Sequence, residues 1–417
     1  MRLALCVVLF AATACRTPAP PAASTPSRFL YVWAGDDDQK DSDFLAVIDV
    51  RDESPTFGQV LTTTPVGMTA TLPHHLEYAL PDSTQLLFAN GHHHEAIFLF
   101  NTSDAEHPRL VRQLPPVAPF RFPHDMVRLP NGNVLVGFLR SNGASPLPGD
   151  STNPGGHGGI AELDTAGALI RSASAADSTF QVPIRPYSFA MLPAIDRILM
   201  TSAPMMEDTS ADVVQMWRMS DLTLLGTTQV PNATAADGTV LPSGRAMPFE
   251  PRVMPDGSIL FNAYGCGLYR VTALDQPHPV IVNVLTFPVP AGQLGSCGIP
   301  LVVGHYWLMA VGAMHAVIAL DIQDPAHPVE VARLQADSVF RPHWLAKDSG
   351  SDRIVVGAEN GGEQRMLLAH VDSATGKLRW DDRLKLPDGT LGISFLRAEW
   401  PHGRTGNAFG HAALFRR

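Results

Sequence analysis

A single phrase occurs five times along this chain of 417 residues. Each copy has a proline, a short polar or histidine-containing stretch, an apolar run, a turn and a second apolar run. The copies begin at Pro73, Pro123, Pro186, Pro248 and Pro342, and a weaker copy begins near Gly298. Successive copies are therefore 50, 63, 62, 50 and 44 residues apart. A period of this length predicts a repeat architecture, and the tight turns favour repeats made of strands.

The later part of several repeats carries an acidic, proline-containing turn between two apolar runs. This pattern is typical of the outer hairpin of a four-stranded propeller blade. Residues 28–417 divide into seven units of about 56 residues, close to the observed steps, whereas six units would need about 65. We therefore expect an all-β, seven-bladed β-propeller. The ring must close on itself, and the candidate strands for closure are Phe29–Trp33, Phe44–Val50 and Ala412–Phe415.

Composition limits the possible partners. Hydrophobic residues make up 45% of the chain and charged residues 17%, which indicates a folded protein rather than a disordered one. The net charge is −10 and there is no long basic run, so we do not expect a nucleic-acid partner.

The first residues are typical of an export signal. Met1–Ala14 has a short positive start, an apolar stretch too short to span a bilayer, and small residues before a cleavage point. Ala12–Cys15 is similar to a bacterial lipoprotein box, which makes Cys15 a candidate lipidation site. Residues 15–27 form a proline-rich tether ahead of a single domain at 28–417. We expect a periplasmic or outer-membrane lipoprotein of a Gram-negative bacterium, or else a secreted protein, touching the membrane only through that anchor.

Two cysteines remain in the body of the chain, Cys266 and Cys297, both beside glycines. An oxidising compartment permits them to pair. The alternative is two buried and inert thiols.

Three of the five phrases place a histidine directly after the proline. In a propeller the first strand of each blade lines the central channel. Neutral imidazoles suit copper, zinc, iron and nickel, so histidines that meet at the axis predict a metal site. The residues expected to face the axis near one end are His74 or His75, His124, Glu250 and His343.

Other candidate groups have simpler interpretations. Asp36–Asp38 could bind calcium, although a solvated loop explains it as well. His92–His94 follows an expected strand end, as a turn or as neighbouring ligands. The histidines of the His-Pro turns are expected to be structural, and they are His107, His278 and His327.

The ordered set of motifs resembles the selenium-binding protein/methanethiol oxidase family, particularly its exported bacterial members. Family membership implies a seven-bladed propeller and a copper-dependent oxidation of methanethiol by oxygen and water to formaldehyde, hydrogen sulfide and hydrogen peroxide. The partners would then be a small thiol and oxygen. The resemblance runs through most of the chain body and rests on Phe44–Val50, Ser54–Val60, Pro73–Glu77, Phe122–Asp125, Leu129–Val136, Gly158–Asp164, Arg341–Leu345 and Trp400–Phe415.

The resemblance also implies a ligand set. The resemblance names no residue that takes the proton from the methyl carbon, and Glu250 is our candidate because it lies at the equivalent place in another blade. Tyr78–Gly91 contains no cysteine where animal relatives carry the one linked to selenium, so selenium binding by a thiol is not implied. The implied copper ligands are His74, His75, His124 and His411, with His402 as a rival to the last and His343 as the next candidate.

Two other functions are compatible with this sequence. A propeller can act without catalysis, by binding a metal or a protein on one face. A lactonase-type hydrolase would need acidic and asparagine residues where the blades start, but the starts here favour histidine. No Gly-x-Ser-x-Gly or Cys-x-x-Cys motif occurs in the chain.

Overall fold

Strands make up nearly all of the regular structure in the computed structural model, which describes residues 25–141, 156–205, 209–234, 246–289, 297–359 and 364–417. The predicted signal peptide, Cys15 and most of the tether lie outside these residues. The described strands form seven antiparallel sheets, six of four strands and one of five. The seven-bladed β-propeller predicted from the repeat is confirmed.

The first three strands and the last strand of the chain belong to the same blade. This blade, blade 7, begins with β1 (Phe29–Asp36), β2 (Phe44–Asp49) and β3 (Val60–Pro65). Blades 1 to 6 then follow in chain order, each running from the axis outward. Blade 1 contains β4 (Pro73–Leu76), β5 (Leu86–Gly91), β6 (Ala96–Asn101) and β7 (Arg109–Gln113), and blade 2 contains β8 (Phe120–Arg128), β9 (Val134–Ser141), β10 (Gly159–Leu163) and β11 (Leu169–Ser174).

The next four blades repeat this arrangement, and two single-turn 3-10 helices, at Pro193–Ile195 and Gly312–Met314, sit between strands. Blade 3 contains β12 (Pro186–Leu192), β13 (Arg197–Ser202), β14 (Val213–Arg218) and β15 (Thr223–Gln229). Blade 4 contains β16 (Pro248–Val253), β17 (Ile259–Ala263), β18 (Gly267–Thr272) and β19 (Val280–Thr286). Blade 5 contains β20 (Cys297–Val303), β21 (Tyr306–Val311), β22 (Ala316–Asp321) and β23 (Val329–Gln335). Blade 6 contains β24 (Pro342–Lys347), β25 (Arg353–Ala358), β26 (Arg365–Val371) and β27 (Leu378–Trp380), with β28 (Ile393–Ser394) beside β26.

Ring closure joins the two ends of the propeller domain. Strand β29 (Ala408–Arg416) pairs antiparallel with β1, in a register that sets Phe29 opposite Arg416 and Trp33 opposite Ala412. The β29 strand thereby becomes the innermost strand of blade 7, and it contacts the innermost strands of blades 1 and 6. The closure predicted from the sequence is confirmed.

Two further links hold the ring together. Ser27 is buried against blade 6, where its hydroxyl donates to Asp348 Oδ1 at 2.8 Å and its carbonyl accepts from Arg353 Nη2 at 2.7 Å. Blades 4 and 5 are joined by a disulfide between Cys266 and Cys297. Within the described residues, no helix is both long enough and apolar enough to cross a membrane.

In every blade the innermost strand forms a bulge, in which it has one extra residue relative to the strand it pairs with. In blade 1 the pairing moves from Pro73 opposite Gly91 to Leu76 opposite Ala89, which leaves His74 and His75 between the paired positions. Blades 2, 3, 4 and 6 have the same irregularity directly after the phrase proline, and blade 5 has it directly after Cys297. Such a bulge redirects side chains out of the pleated plane. The repeated phrase therefore encodes a bulge at the propeller axis.

Candidate metal centre

The first bulge residues of the blades form a ring of side chains around the axis, here called the upper ring. Its histidines and aromatic residues touch in succession, with ring centroids 5.0 Å apart for His74 and His124, 4.1 Å for His124 and Tyr187, and 4.3 Å for Tyr187 and Phe249. Blade 5 contributes only a glycine here. The members are His74, His124, Tyr187, Phe249, Gly298, His343 and His411.

His411, the fourth predicted ligand, lies in the upper ring because it occupies a bulge, as His74 and His124 do. His411 falls between Gly410 and Ala412 at the bulge of β29. Its ring centroid is 4.2 Å from that of His74 and 5.0 Å from that of His343. The rival candidate His402 lies elsewhere, hydrogen-bonded to Thr63 Oγ1 at 2.7 Å.

The residues that follow in each bulge form a second layer, the lower ring. His75 packs against His124 with a centroid distance of 4.3 Å and against Trp344 at 5.2 Å. Its Nδ1 is 3.9 Å from Asp125 Oδ1. The lower-ring members are His75, Asp125, Ser188, Glu250, Ile299, Trp344 and Ala412.

Backbone carbonyls fix the tautomers of two upper-ring histidines. His124 Nδ1 lies 2.8 Å from Tyr187 O, and His411 Nδ1 lies 2.6 Å from His74 O. Because a carbonyl oxygen only accepts, each Nδ1 carries the proton. The Nε2 of each neutral ring is then a bare lone pair, the state in which imidazole binds a metal.

Two further histidines, His74 in the upper ring and His75 in the lower ring, each have a buried nitrogen without a hydrogen-bond partner among the described residues. His74 Nε2 is 3.2 Å from the bare His124 Nε2, and His74 Nδ1 has no hydrogen-bond partner among the described residues. His75 Nε2 is also buried without one. Burying an unpaired polar atom costs about 1–3 kcal/mol, and a cation shared by the imidazoles would remove that cost. Nitrogens of His74, His75 and His124 all lie within 4.8 Å of one another, so this trio fits a metal ion.

Burial keeps these histidines neutral. Burial first, and the neighbouring histidines second, hold the pKa values of His74, His75 and His124 well below the usual imidazole range. The pKa of His411 falls to about 3, because of burial and then His343. These histidines are therefore neutral imidazoles at neutral pH.

Polar residues on the second strand of a blade hold the bulge of the next blade. Asn90 on β5 accepts from His75 N at 2.6 Å and donates to Pro123 O at 2.8 Å and His124 O at 2.9 Å. Asn262 on β17 donates in the same way to Cys297 O and Gly298 O. Neither asparagine was predicted from the sequence, although each directly follows the second apolar run of a phrase.

The lower ring is linked by a buried hydrogen-bond network. Ser188 Oγ lies 2.7 Å from Asp125 Oδ2 and 2.9 Å from Glu250 Oε2, and its single proton serves only one of them. Burial, followed by Glu250, raises the pKa of Asp125 to about 7. Tyr78 donates to Glu250 Oε2 at 2.7 Å, and its Oη is 3.5 Å from His75 Nδ1. This network therefore reaches one histidine of the trio from below.

Tyr78 packs against the lower ring. It stacks on Trp344, with a centroid distance of 5.3 Å and an angle of 10° between the rings. The Arg252 guanidinium lies 4.7 Å above the Tyr78 ring and donates to Glu250 at 3.0 Å. Glu77 is paired with Arg128 instead of a histidine, and burial raises its pKa to about 8.

A cavity of about 300 Å³ opens above the upper ring. Histidines form one part of its lining and apolar side chains another. Two polar groups also line it, Tyr264 and Glu359, and Tyr264 Oη donates to Glu359 Oε1 at 3.1 Å. The lining residues are His74, Tyr187, Pro204, Met205, Met247, Phe249, Tyr264, His343, Glu359 and His411.

The structure places four of the predicted histidines in the upper ring, whereas Glu250 lies in the lower ring with His75. The blade-4 phrase begins Pro248-Phe249-Glu250, so Phe249 occupies the upper-ring position and Glu250 is equivalent to Asp125. Glu250 is fully buried in the lower ring and is not among the described residues that line the cavity. Glu359, which follows β25 and does line it, was not predicted from the sequence.

The structure also shows the surroundings of two other candidate groups, the histidines at 92–94 and the acidic loop at 36–38. His92 is buried beside the site, with its centroid 5.7 Å from that of His74, and its Nδ1 donates to Pro123 O at 3.2 Å. The acidic loop after β1 is held by its own backbone, because Lys40 N and Asp41 N each donate to Asp36 Oδ2 at 2.8 Å.

Fold and site together define a seven-bladed β-propeller with a buried histidine cluster on its axis. No protein-family model matches the chain, and neither does any curated protein. Among solved structures, the chain is similar to a hypothetical selenium-binding protein from Sulfolobus tokodaii, with 14% identity and a TM-score of 0.69 over 95% of this chain and 94% of that one. It is also similar to the periplasmic gluconolactonase of Pseudomonas aeruginosa, with 15% identity and a TM-score of 0.58 over 85% and 94%. At these identities the likeness shows the fold alone.

Proposed function

We propose that this protein is a copper-dependent oxidase of small thiols, related to the selenium-binding protein/methanethiol oxidase family. The observation that carries the proposal is the trio His74, His75 and His124, whose nitrogens converge within 4.8 Å. His411 is the fourth candidate ligand and His343 the next. Imidazoles suit copper, and a thiolate is a soft ligand that favours Cu(I), so a site of this kind can hold metal and substrate together.

Copper bound at this site would supply the electron transfer by which methanethiol, oxygen and water give formaldehyde, hydrogen sulfide and hydrogen peroxide. The protein residues orient and enclose the reactants. Tyr187 O and His74 O hold His124 and His411 in the tautomer that leaves Nε2 free. The apolar part of the cavity lining admits a neutral thiol and limits the access of water.

We assign the acceptance of a proton from the substrate carbon to Glu359. This residue lines the cavity together with His74, His343 and His411. Tyr264 donates to Glu359 Oε1 at 3.1 Å, and Arg341 Nε donates to Oε2 at 2.8 Å. These bonds fix the carboxylate, and a carboxylate still has free lone pairs after accepting two hydrogen bonds.

The proposal includes export, with Cys15 as a lipid anchor. The disulfide between Cys266 and Cys297 supports an oxidising compartment, because such bonds are rare in reducing ones.

The test is metal analysis followed by turnover. We expect the purified protein to bind one copper ion per chain and to produce peroxide when methanethiol is added. His124→Ala should abolish both properties, whereas His402→Ala, at a histidine outside the cluster, should leave both unchanged. A wild-type protein that stays inactive after loading with copper would refute the oxidase, and copper binding without turnover would favour a non-catalytic metal-binding propeller.

A further inference from the structure

The upper ring is divided into two unlike halves. His343, His411, His74 and His124 follow one another on one side of the axis. Tyr187 and Phe249 stack on the opposite side, with their ring planes 15° apart. From the first half His74, His343 and His411 line the cavity, and from the second Tyr187 and Phe249 do. A molecule above the ring therefore touches candidate metal ligands at one end and aromatic surface at the other.

The apolar half continues up the cavity wall. Pro204, Met205 and Met247 line the cavity beside Phe249. Methionine side chains adapt to irregular apolar groups, and their sulfur makes favourable contacts with aromatic rings. A wall of this composition binds an apolar or aromatic substituent.

Volume indicates how large that substituent is. The cavity measures about 300 Å³, and one water molecule takes about 30 Å³ in the liquid, so there is room for roughly ten non-hydrogen atoms. Methanethiol has two such atoms and, with its sulfur on the histidine side, leaves the aromatic half empty. Phenylmethanethiol has eight and reaches both halves.

We infer that the preferred substrate is a primary thiol bearing an aryl or bulky alkyl group, with Met205, Met247 and Phe249 setting this specificity. This inference rests on the proposed function. One molecule each of the thiol R–CH2–SH, oxygen and water gives one each of the aldehyde R–CHO, hydrogen sulfide and hydrogen peroxide. The carbon–sulfur bond breaks, the carbon loses two electrons, and oxygen gains them to become peroxide.

Competing thiols provide the first test. In the copper-loaded protein we expect kcat/KM for phenylmethanethiol to exceed that for methanethiol by about a hundredfold, since a single methylene in a fitted apolar pocket is worth tenfold or more. Met205→Trp, which fills the apolar half, should reduce this ratio at least tenfold without changing copper content. Val329→Trp, on the exposed outer strand β23, is the matched control and should leave the ratio unchanged.

A binding measurement provides a second readout that needs no turnover. Calorimetry on the metal-free wild-type protein should show methyl phenylmethyl sulfide binding at least tenfold more tightly than dimethyl sulfide. Equal binding of the two sulfides, or a kcat/KM that is higher for methanethiol, would overturn the inference while leaving the oxidase intact. Failure to oxidise either thiol after copper loading would overturn the proposed function and the inference with it.

Discussion

Asn90 is expected to hold two histidines of the metal trio in place. It makes three buried hydrogen bonds, to His75 N, Pro123 O and His124 O. A buried hydrogen bond contributes about 1 kcal/mol net, so Asn90→Ala should lower the free energy of unfolding by about 3 kcal/mol. Because the lost bonds fix the backbone of both histidines, copper affinity should also fall, by about 10–100-fold.

Asn262 offers a matched control in blade 4. It makes two equivalent bonds, to Cys297 O and Gly298 O, so Asn262→Ala should cost about 2 kcal/mol. Since no member of the trio depends on it, copper affinity should stay near the wild-type value. Urea unfolding of the metal-free proteins measures the stabilities, and titration against a copper chelator measures the affinities. An equal loss of copper affinity in both variants, or none in Asn90→Ala, would refute the reasoning.

Three further predictions concern packing, pH and covalent structure. A Cβ at Gly298 would lie 2.2 Å from His343 O and 2.8 Å from His343 Nδ1. Gly298→Ala should therefore lower the free energy of unfolding by about 1–3 kcal/mol. An unchanged midpoint of thermal unfolding would contradict the tight contact. Burial lowers the pKa of His343 from 6.5 to about 4, so the unfolded chain binds more protons below pH 6.5, and the metal-free protein should lose about 1.4 kcal/mol per pH unit from this residue as pH falls towards 4. The difference in urea midpoint between the wild type and His343→Leu, measured between pH 7 and 5, isolates this contribution. The sign is wrong if the wild type gains stability relative to the variant on acidification. Reduction of the disulfide, which spans 31 residues, should lower the free energy of unfolding by about 3–4 kcal/mol, and equal urea midpoints before and after reduction would exclude this contribution.

The sequence predicted the propeller because its repeat spacing is a local, countable property. It also predicted three upper-ring histidines, because His74, His124 and His343 each follow a phrase proline. His411 has no proline before it, and its place on the axis follows from the bulge that β29 makes with β1, some 380 residues away in the chain. Only the family resemblance indicated it in advance.

Glu250 shows that the repeated phrase alone does not tell which ring a side chain belongs to. It lies two residues after its proline, as His75 and Asp125 do, whereas His124 lies one residue after. In a bulge that single step separates the upper ring from the lower, because neighbouring residues point in different directions. The cavity lining, including Met205, Tyr264 and Glu359, comes from segments with no shared spacing. Their convergence depends on tertiary packing, which a repeat pattern does not contain.

Strand β29 has a consequence for when the proposed copper site can form. It is the last of the innermost strands in chain order. It provides His411, whose Nδ1 donates a hydrogen bond to the backbone carbonyl of His74. Until residues 408–416 have joined β1, the ring is open and the histidine cluster is exposed on one side. If the protein is exported as proposed, a chain crossing the membrane carries no finished site, and copper loading would follow ring closure in the compartment where the protein folds.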